Sequence, residues 1–397
     1  MPTNKLTFRP AERLAALPPY FYADLTQRLA QLRARGVDLI RLDAGSPDLP
    51  PAPFIVQALR HSAEKPDHHG YMPYGGTPEY RAAWAEFYGR RFGVELDPQS
   101  EVVGLIGSKE GIFNLTLAFV NPGDVALIPD PGYATYANAA LFAGAEVIYM
   151  PLLAENKFLP DLRAISSDAL RRAKLMWLNY PNNPTGAVAP LEFFAEVIAL
   201  ARAHGFIVAH DAPYTEITFD GYRAPSLLQL PGAKDVGVEF HSLSKTYNMA
   251  GWRLGVAAGN PEVLRALGQL KGHIDTGTFR PIMDAAAGAL TGDQSWTIER
   301  NEIYRERRDV VVAALRAAGF QADTPVAAIY VWARLPEGVD DRAYAVGLLE
   351  ATGVSVTPGS VLGPSGAGYF RIALCHPVER LREAMQRVGR WGVEVGS

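Results

Sequence analysis

Between Phe240 and Gly255 the chain reads FHSLSKTYNMAGWRLG, and within it Ser242-Leu243-Ser244-Lys245 sets two hydroxyls beside one amine. Such a group has three uses. Spaced as S-x-x-K, it matches a serine nucleophile with a lysine base. The lysine can instead carry a carbonyl cofactor as an imine. Or it is an ordinary solvated surface charge. The first use asks for S-D-N and K-T-G further along, and neither tripeptide occurs in the sequence.

Lys245 follows an apolar run, and three other apolar runs also stop at groups capable of chemistry. EVVGLIG (101–107) leads into Gly107-Ser108-Lys109-Glu110-Gly111, which opens a helical pattern. Free N–H groups at a helix start, with a hydroxyl, receive anions, although a serine N-cap without any ligand is the commoner use. The spacing is not that of a Walker P-loop. KLMWLNY (174–180) leads into PNNPTG (181–186), where Asn182 and Asn183 sit between prolines in a composition that turns also favour. FIVAHD (206–211) ends on Asp211, followed by Ala212-Pro213-Tyr214. A carboxylate closing an apolar strand needs a partner, either a cap or salt bridge or a protonated ring nitrogen. Beyond GVEFHS (237–242) come Ser244, Lys245 and Arg253. Hydroxyls and a guanidinium suit a phosphate dianion, and a lysine beside cations titrates lower and becomes a usable nucleophile. Together the four strand ends describe a seat for a phosphorylated, ring-containing electrophile held as an imine. Pyridoxal phosphate has that chemistry.

The elements that must position these groups are legible as a pattern. Seven short apolar runs, those four together with DVALIPD (124–130), EVIYMPL (146–152) and RLGVAAG (253–259), alternate with helical segments such as PLEFFAEVIALARAHG (190–205). Strands alternating with helices predict an α/β fold with a mostly parallel sheet sandwiched by helices. After about Gly292 the texture changes to a long charged helix, SWTIERNEIYRERRDVVVAALRAAG, then strands at AAIYVWARL and YFRIAL, then a last helix. The expectation is a large domain over 46–290 and a smaller α+β domain formed by 1–45 and 291–397. The chain of 397 residues carries a net charge of −4, which favours neither nucleic acid nor a membrane surface as partner. No apolar run reaches spanning length, no secretory signal is visible, and Cys375 is the single cysteine. These features lead to the expectation of a cytoplasmic protein. No H-E-x-x-H or Cys/His cluster points to a metal, and His68 and His69 fall in a loop-like stretch.

With YPNNPTG, DAPY and SLSKTYNMAGWRLG in place, nearly the whole chain resembles the class I and II aminotransferases of pyridoxal-phosphate fold type I. The resemblance implies a seven-stranded main sheet and a homodimer with shared active sites. It implies that Lys245 bonds the cofactor and later moves the substrate proton, and that Asp211 pairs with the ring N–H. Tyr214 and Asn183 would bond the phenolic oxygen. Ser108, Lys109, Ser242, Ser244 and Arg253 would surround the phosphate, with Tyr133 stacked on the ring and Tyr71 reaching the phosphate of the neighbouring subunit. Arg371, in YFRIAL, matches the arginine that clamps the substrate carboxylate, and Gly45, in LDAGSPD, the glycine that closes over it.

For the substrate, GSKEGIFNLTLAFVNPGD, LPPYFYADL and KGHIDTGTF are similar to the LL-diaminopimelate aminotransferases. That implies exchange between an amino acid and a 2-oxo acid, LL-diaminopimelate with 2-oxoglutarate, in lysine biosynthesis. Tyr20 would border the pocket. Tyr74, read as one helical turn from Tyr71, would face the substrate tail, where plant-type members have an acidic residue. Alanine–glutamate transaminases share GSKEG, and a carbon–sulfur β-lyase on the same fold is the other reading. A transcription regulator would need a helix-turn-helix module and a basic face, and this chain is net acidic.

Overall fold

The computed structural model describes residues 8–18 and 21–392. Thirteen strands are placed among them: β1 (Ile40–Arg41), β2 (Val102–Leu105), β3 (Val125–Asp130), β4 (Glu146–Pro151), β5 (Ala173–Asn179), β6 (Ile207–Asp211), β7 (Gly237–Ser242), β8 (Gly255–Gly259), β9 (Gln321–Ala322), β10 (Tyr330–Arg334), β11 (Val354–Ser355), β12 (Thr357–Pro358) and β13 (Tyr369–Ala373).

The main sheet has seven strands in the order β2-β8-β7-β6-β5-β3-β4. All seven runs expected from the sequence are in it. β8 alone runs against the others, antiparallel to both β2 and β7. The six remaining strands share one direction, so their carboxyl ends lie along one edge. The start of β8 meets that edge, with Gly255 opposite both Leu105 and Ser242.

Each face of this sheet is covered, as a parallel sheet requires. On one face Ala209, Val238, Phe240 and Trp177 pack with Ile112, Tyr136 and Leu264 from the helices Ser108–Phe119, Thr135–Phe142 and Pro261–Lys271. On the other, Val208, Met176 and Leu178 pack with Trp84, Phe194 and Leu290 from the helices Pro78–Phe92, Leu191–His204 and Arg280–Thr291. Successive strand residues therefore serve opposite cores. The helix boundaries follow local chemistry. Thr77 caps the helix Pro78–Phe92 by accepting from the Tyr80 amide at 3.3 Å, Pro78 supplies the first turn, and Gly93 ends it with φ +67°.

A third core lies around two smaller sheets. β12-β13-β10-β9 form one, and β1 pairs parallel with β11 to form the other. The N-terminal strand thus joins a strand from the C-terminal part of the chain. The helices Ser295–Ala317 and Val378–Trp391 pack on this side. Tyr71 and Tyr74 do not stand on a helix, which corrects the spacing argument made for them. Residues 71–77 are turn and extended backbone, because Pro73, Gly75 and Gly76 interrupt any helix before Thr77 caps the next one.

Candidate active site

The groups expected to seat an anion lie where β2, β7 and β8 meet. Gly107, at φ +79°, turns the chain from β2 into the helix Ser108–Phe119. A side chain there would overlap the Arg253 guanidinium, so glycine makes room for it. Arg253 donates to the Ala250 carbonyl at 2.8 Å and to Ser244 Oγ at 3.4 Å. Ser242 Oγ accepts from the Ser244 amide at 3.2 Å and caps the turn Leu243–Thr246, which carries Lys245. Ser108 is the first residue of its helix and not its cap, so its hydroxyl is not used for capping. Lys109 is exposed.

Asp211 closes β6 and is buried. Its Oδ2 accepts from the Tyr136 hydroxyl at 2.7 Å, while its Oδ1 is buried with no hydrogen-bond partner. Burial raises this carboxyl to about 6, against the Tyr136 bond and the nearby His210 and His241, which pull it down. The Asp211 backbone carbonyl accepts from Asn179 Nδ2 at 2.7 Å, and Asn179 Oδ1 accepts from the Asn183 amide at 2.8 Å. One asparagine at the end of β5 therefore ties the Asp211 strand to the PNNPTG turn. Within that turn Asn182 is spent locally, accepting from the Thr185 amide and hydroxyl. Asn183 faces the site.

Lys245 donates from Nζ to the Gly45 carbonyl. Burial pulls it down to about 8, with Arg371 and Arg253 adding to the shift and Cys375 opposing it. At neutral pH an appreciable part of it is the free amine a carbonyl needs. The Lys245 turn is held from behind by Arg300, a buried cation that donates to the Thr246 and Glu216 carbonyls.

Arg371 comes from β13 and is buried. It donates to Asn183 Oδ1 at 2.8 Å, to the Asp43 carbonyl at 2.7 Å and to Thr357 Oγ1 at 3.2 Å. Its Nε is buried without a partner, and no carboxylate pairs with it among the described residues. A buried cation without an acidic partner suits an incoming carboxylate. Tyr214 follows β6, and its hydroxyl lies 3.0 Å from the Tyr330 hydroxyl.

The fold thus brings together Gly45, Ser108, Asn183, Asp211, Tyr214, Ser242, Ser244, Lys245, Arg253 and Arg371. Tyr133 stands beside them, its ring 5.7 Å from that of Tyr136 and perpendicular to it. Tyr71 and Tyr74 are 90% and 52% exposed, and the Tyr74 ring lies beside Gly272. Tyr20 lies outside the described residues. Sequence reasoning missed Tyr136, Asn179, Arg300 and Tyr330. Asn179 had a signal, since it ends an apolar run. The others sit within helices or strands with nothing local to mark them.

A family model described as aminotransferase class I and II matches residues 37–388. The LL-diaminopimelate aminotransferase of Moorella thermoacetica is 50% identical over 380 residues, covering 96% of this chain and 97% of that protein. That of Desulforudis audaxviator is 52% identical over 383 residues, covering 96% and 98%. Among solved structures, substrate-bound BacF from Bacillus subtilis matches with a TM-score of 0.94 at 38% identity, covering 97% of this chain and 98% of that one. A probable N-succinyldiaminopimelate aminotransferase from Thermus thermophilus matches with a TM-score of 0.89 at 41% identity, covering 93% and 99%.

Proposed function

Because the chain belongs to the class I and II aminotransferases, we propose that its strand-end site holds pyridoxal phosphate and moves the amino group of LL-diaminopimelate to 2-oxoglutarate. The observation that carries the cofactor is the unpartnered Oδ1 of Asp211, a buried carboxylate oxygen on the same sheet edge as an amine that burial lowers to about 8. A pyridinium N–H is the donor that oxygen lacks, so the residues present fit the group. The high identity to diaminopimelate aminotransferases over almost the whole chain supports the donor.

When bound, pyridoxal phosphate supplies an electron sink for the pair freed at the substrate Cα. The chain supplies the rest. Ser108, Ser242, Ser244 and Arg253, with backbone N–H groups at the helix start, hold the phosphate, and Lys109 contributes at most its amide. Asp211 keeps the ring nitrogen protonated. Tyr214 and Asn183 bond the phenolic oxygen, and Tyr133 covers the ring. Arg371 holds the substrate carboxylate under the Gly45 backbone. Lys245 Nζ would hold the cofactor at rest, and as a free amine it would then take the proton from the substrate Cα and pass it to the cofactor carbon that bears the nitrogen.

A second copy of the chain covers the stretch that exposes Tyr71, Tyr74, Ile274 and Phe279, and Tyr71 reaches the neighbouring phosphate. Sedimentation at micromolar concentration reads out a dimer, and a fully active monomer would remove Tyr71 from the site.

Two measurements test the reading. Borohydride traps cofactor on the native protein and not on Lys245→Ala, whose turnover falls by about 10²–10⁴-fold. Coupled assays compare amino donors. Brisk alanine–2-oxoglutarate exchange without turnover of diaminopimelate overturns the donor, and release of pyruvate and ammonia from a cysteine-type substrate without an oxo acid shows β-elimination instead.

A further inference from the structure

Tyr330 begins β10 and is buried. Three of its neighbours belong to the proposed site. Its hydroxyl lies 3.0 Å from that of Tyr214, with the rings 5.6 Å apart and nearly perpendicular. The Arg371 guanidinium carbon sits 4.4 Å from its ring centroid. A side chain on Gly45 would overlap its hydroxyl, so this glycine is also the space Tyr330 needs. The Gly45 carbonyl is in turn the acceptor of Lys245.

We propose that Tyr330 is a positioning residue for both halves of the reaction. Its hydroxyl donates to Tyr214 and so commits the single Tyr214 proton to the cofactor's phenolic oxygen, while its ring face sets the plane of the Arg371 guanidinium for the substrate carboxylate. This deepens the transaminase reading above and rests on it.

The direction of donation follows from a proton count. A phenol has one proton to donate and lone pairs to accept. An anionic phenolic oxygen accepts only, so Tyr214 must donate to it. The remaining bond of Tyr214 is then one it accepts, and Tyr330 is the hydroxyl placed to supply it. Tyr214 is the sole hydrogen-bond partner of the Tyr330 hydroxyl among the described residues. Charged and titratable groups facing the pair are Arg371 from β13, Asp211 from β6, Cys375 after β13 and Tyr22 from the helix Phe21–Ala34. Burial pushes Tyr330 up to about 12, with Arg371 pulling it back, and holds Tyr214 well above its ordinary value. Both therefore stay protonated at neutral pH. A chain of two such bonds polarises itself, each strengthening the next by roughly 10–30%.

For Arg371 the argument is geometric. Asn183, Asp43 and Thr357 fix the guanidinium by its edges. The Tyr330 ring lies against its face, which opposes tilting.

The experiment uses the full chain reconstituted with pyridoxal phosphate. The readouts are the pH midpoint of the visible band of the lysine-bound cofactor and the KM for the amino donor. A hydrogen bond donated to the phenolic oxygen competes with the proton of the lysine linkage and lowers that midpoint. Tyr330→Phe, which keeps the ring, is expected to raise the midpoint by about half a pH unit and leave KM unchanged. In a Tyr214→Phe background the same substitution is expected to do nothing further, a non-additivity that a merely structural role would not produce. Tyr330→Leu, which removes the ring, is expected to raise KM roughly tenfold as well. A Tyr330→Phe midpoint equal to the wild type, or an equal shift with and without Tyr214, overturns the proposal. Tyr330→Phe preserves packing, so it decides the hydroxyl role even where Tyr330→Leu does not fold. A wild-type protein showing no visible band would overturn the cofactor reading itself, and the role of Tyr330 with it.

Discussion

Strands β6 and β7 carry buried charge on both faces of the main sheet, and the two faces treat it in opposite ways. Toward the helices Ser108–Phe119 and Thr135–Phe142 stands Asp211, with one hydrogen bond and one bare oxygen. One residue earlier in β6, on the opposite face, stands His210, and across from it in β7 stands Glu239. Glu239 has a full set of donors. Its Oε1 accepts from the Ser226 hydroxyl at 2.8 Å and the Tyr88 hydroxyl at 3.0 Å, with His241 Nε2 at 3.1 Å. Its Oε2 accepts from the Leu227 amide at 2.9 Å, with His210 Nδ1 at 2.8 Å. Burial works to raise both carboxyls. On Glu239 the hydrogen bonds from His210 and His241 win and hold it well below its ordinary range. On Asp211 a single bond from Tyr136 loses, and the group rises to about 6. A satisfied buried charge serves the fold, and an unsatisfied one marks where a ligand completes it.

The largest test of this contrast is Glu239→Gln. It leaves two histidines and several donors short of an acceptor, and about 3–5 kcal/mol of stability is expected to go. Urea unfolding of the cofactor-free protein reads it. Because the folded Glu239 carboxyl titrates below its unfolded value, its contribution is present above pH ~4.3 and is lost as pH falls below that. A wild-type midpoint for the variant would end the claim that this face is structural.

Asp211→Asn is expected to act with the opposite sign. The folded carboxyl titrates above its unfolded value, so the cofactor-free protein loses stability as pH rises from ~4 to 6. Above pH 6 the amide variant gains about 1–3 kcal/mol in urea unfolding, and near pH 4 the gain disappears. The same variant loses turnover, since the ring nitrogen loses its anion. A cofactor-free variant no more stable than the wild type at pH 7 would mean that Asp211 is satisfied after all.

The smallest effect sharpens the site side alone. Arg371→Lys keeps the charge and loses the planar fork, so the KM for the amino donor is expected to rise about tenfold. Its unfolding curve should stay close to that of the wild type. Unchanged KM would move the substrate carboxylate elsewhere.

Much of this was readable in the sequence because the site is built where strands stop. Asp211, Asn183, Ser242, Ser244 and Lys245 each lie at or just beyond the end of an apolar run, and the seven runs all became strands of one sheet. What escaped reading depends on register and long-range packing. His210 and Glu239 are polar residues inside apolar runs, yet only the pairing of β6 with β7 reveals that they meet. Tyr330 reaches the site because β10 pairs with β13 and the chain from Asp43 to Gly45 closes over both. The helical spacing expected of Tyr71 and Tyr74 fails for a simpler reason. Three residues apart suggests a helical turn only where glycine and proline permit one.

The reversal of β8 also has an analytical consequence. Because the chain turns back at the sheet edge, Lys245, the hydroxyls of Ser242 and Ser244, and Arg253 fall within one short stretch of sequence. Trypsin cuts after Lys234 and Arg253, and a lysine alkylated by borohydride-reduced cofactor resists cleavage. Reduced protein is therefore expected to yield its whole label on a single peptide, Asp235 to Arg253, which mass spectrometry would find intact across Lys245.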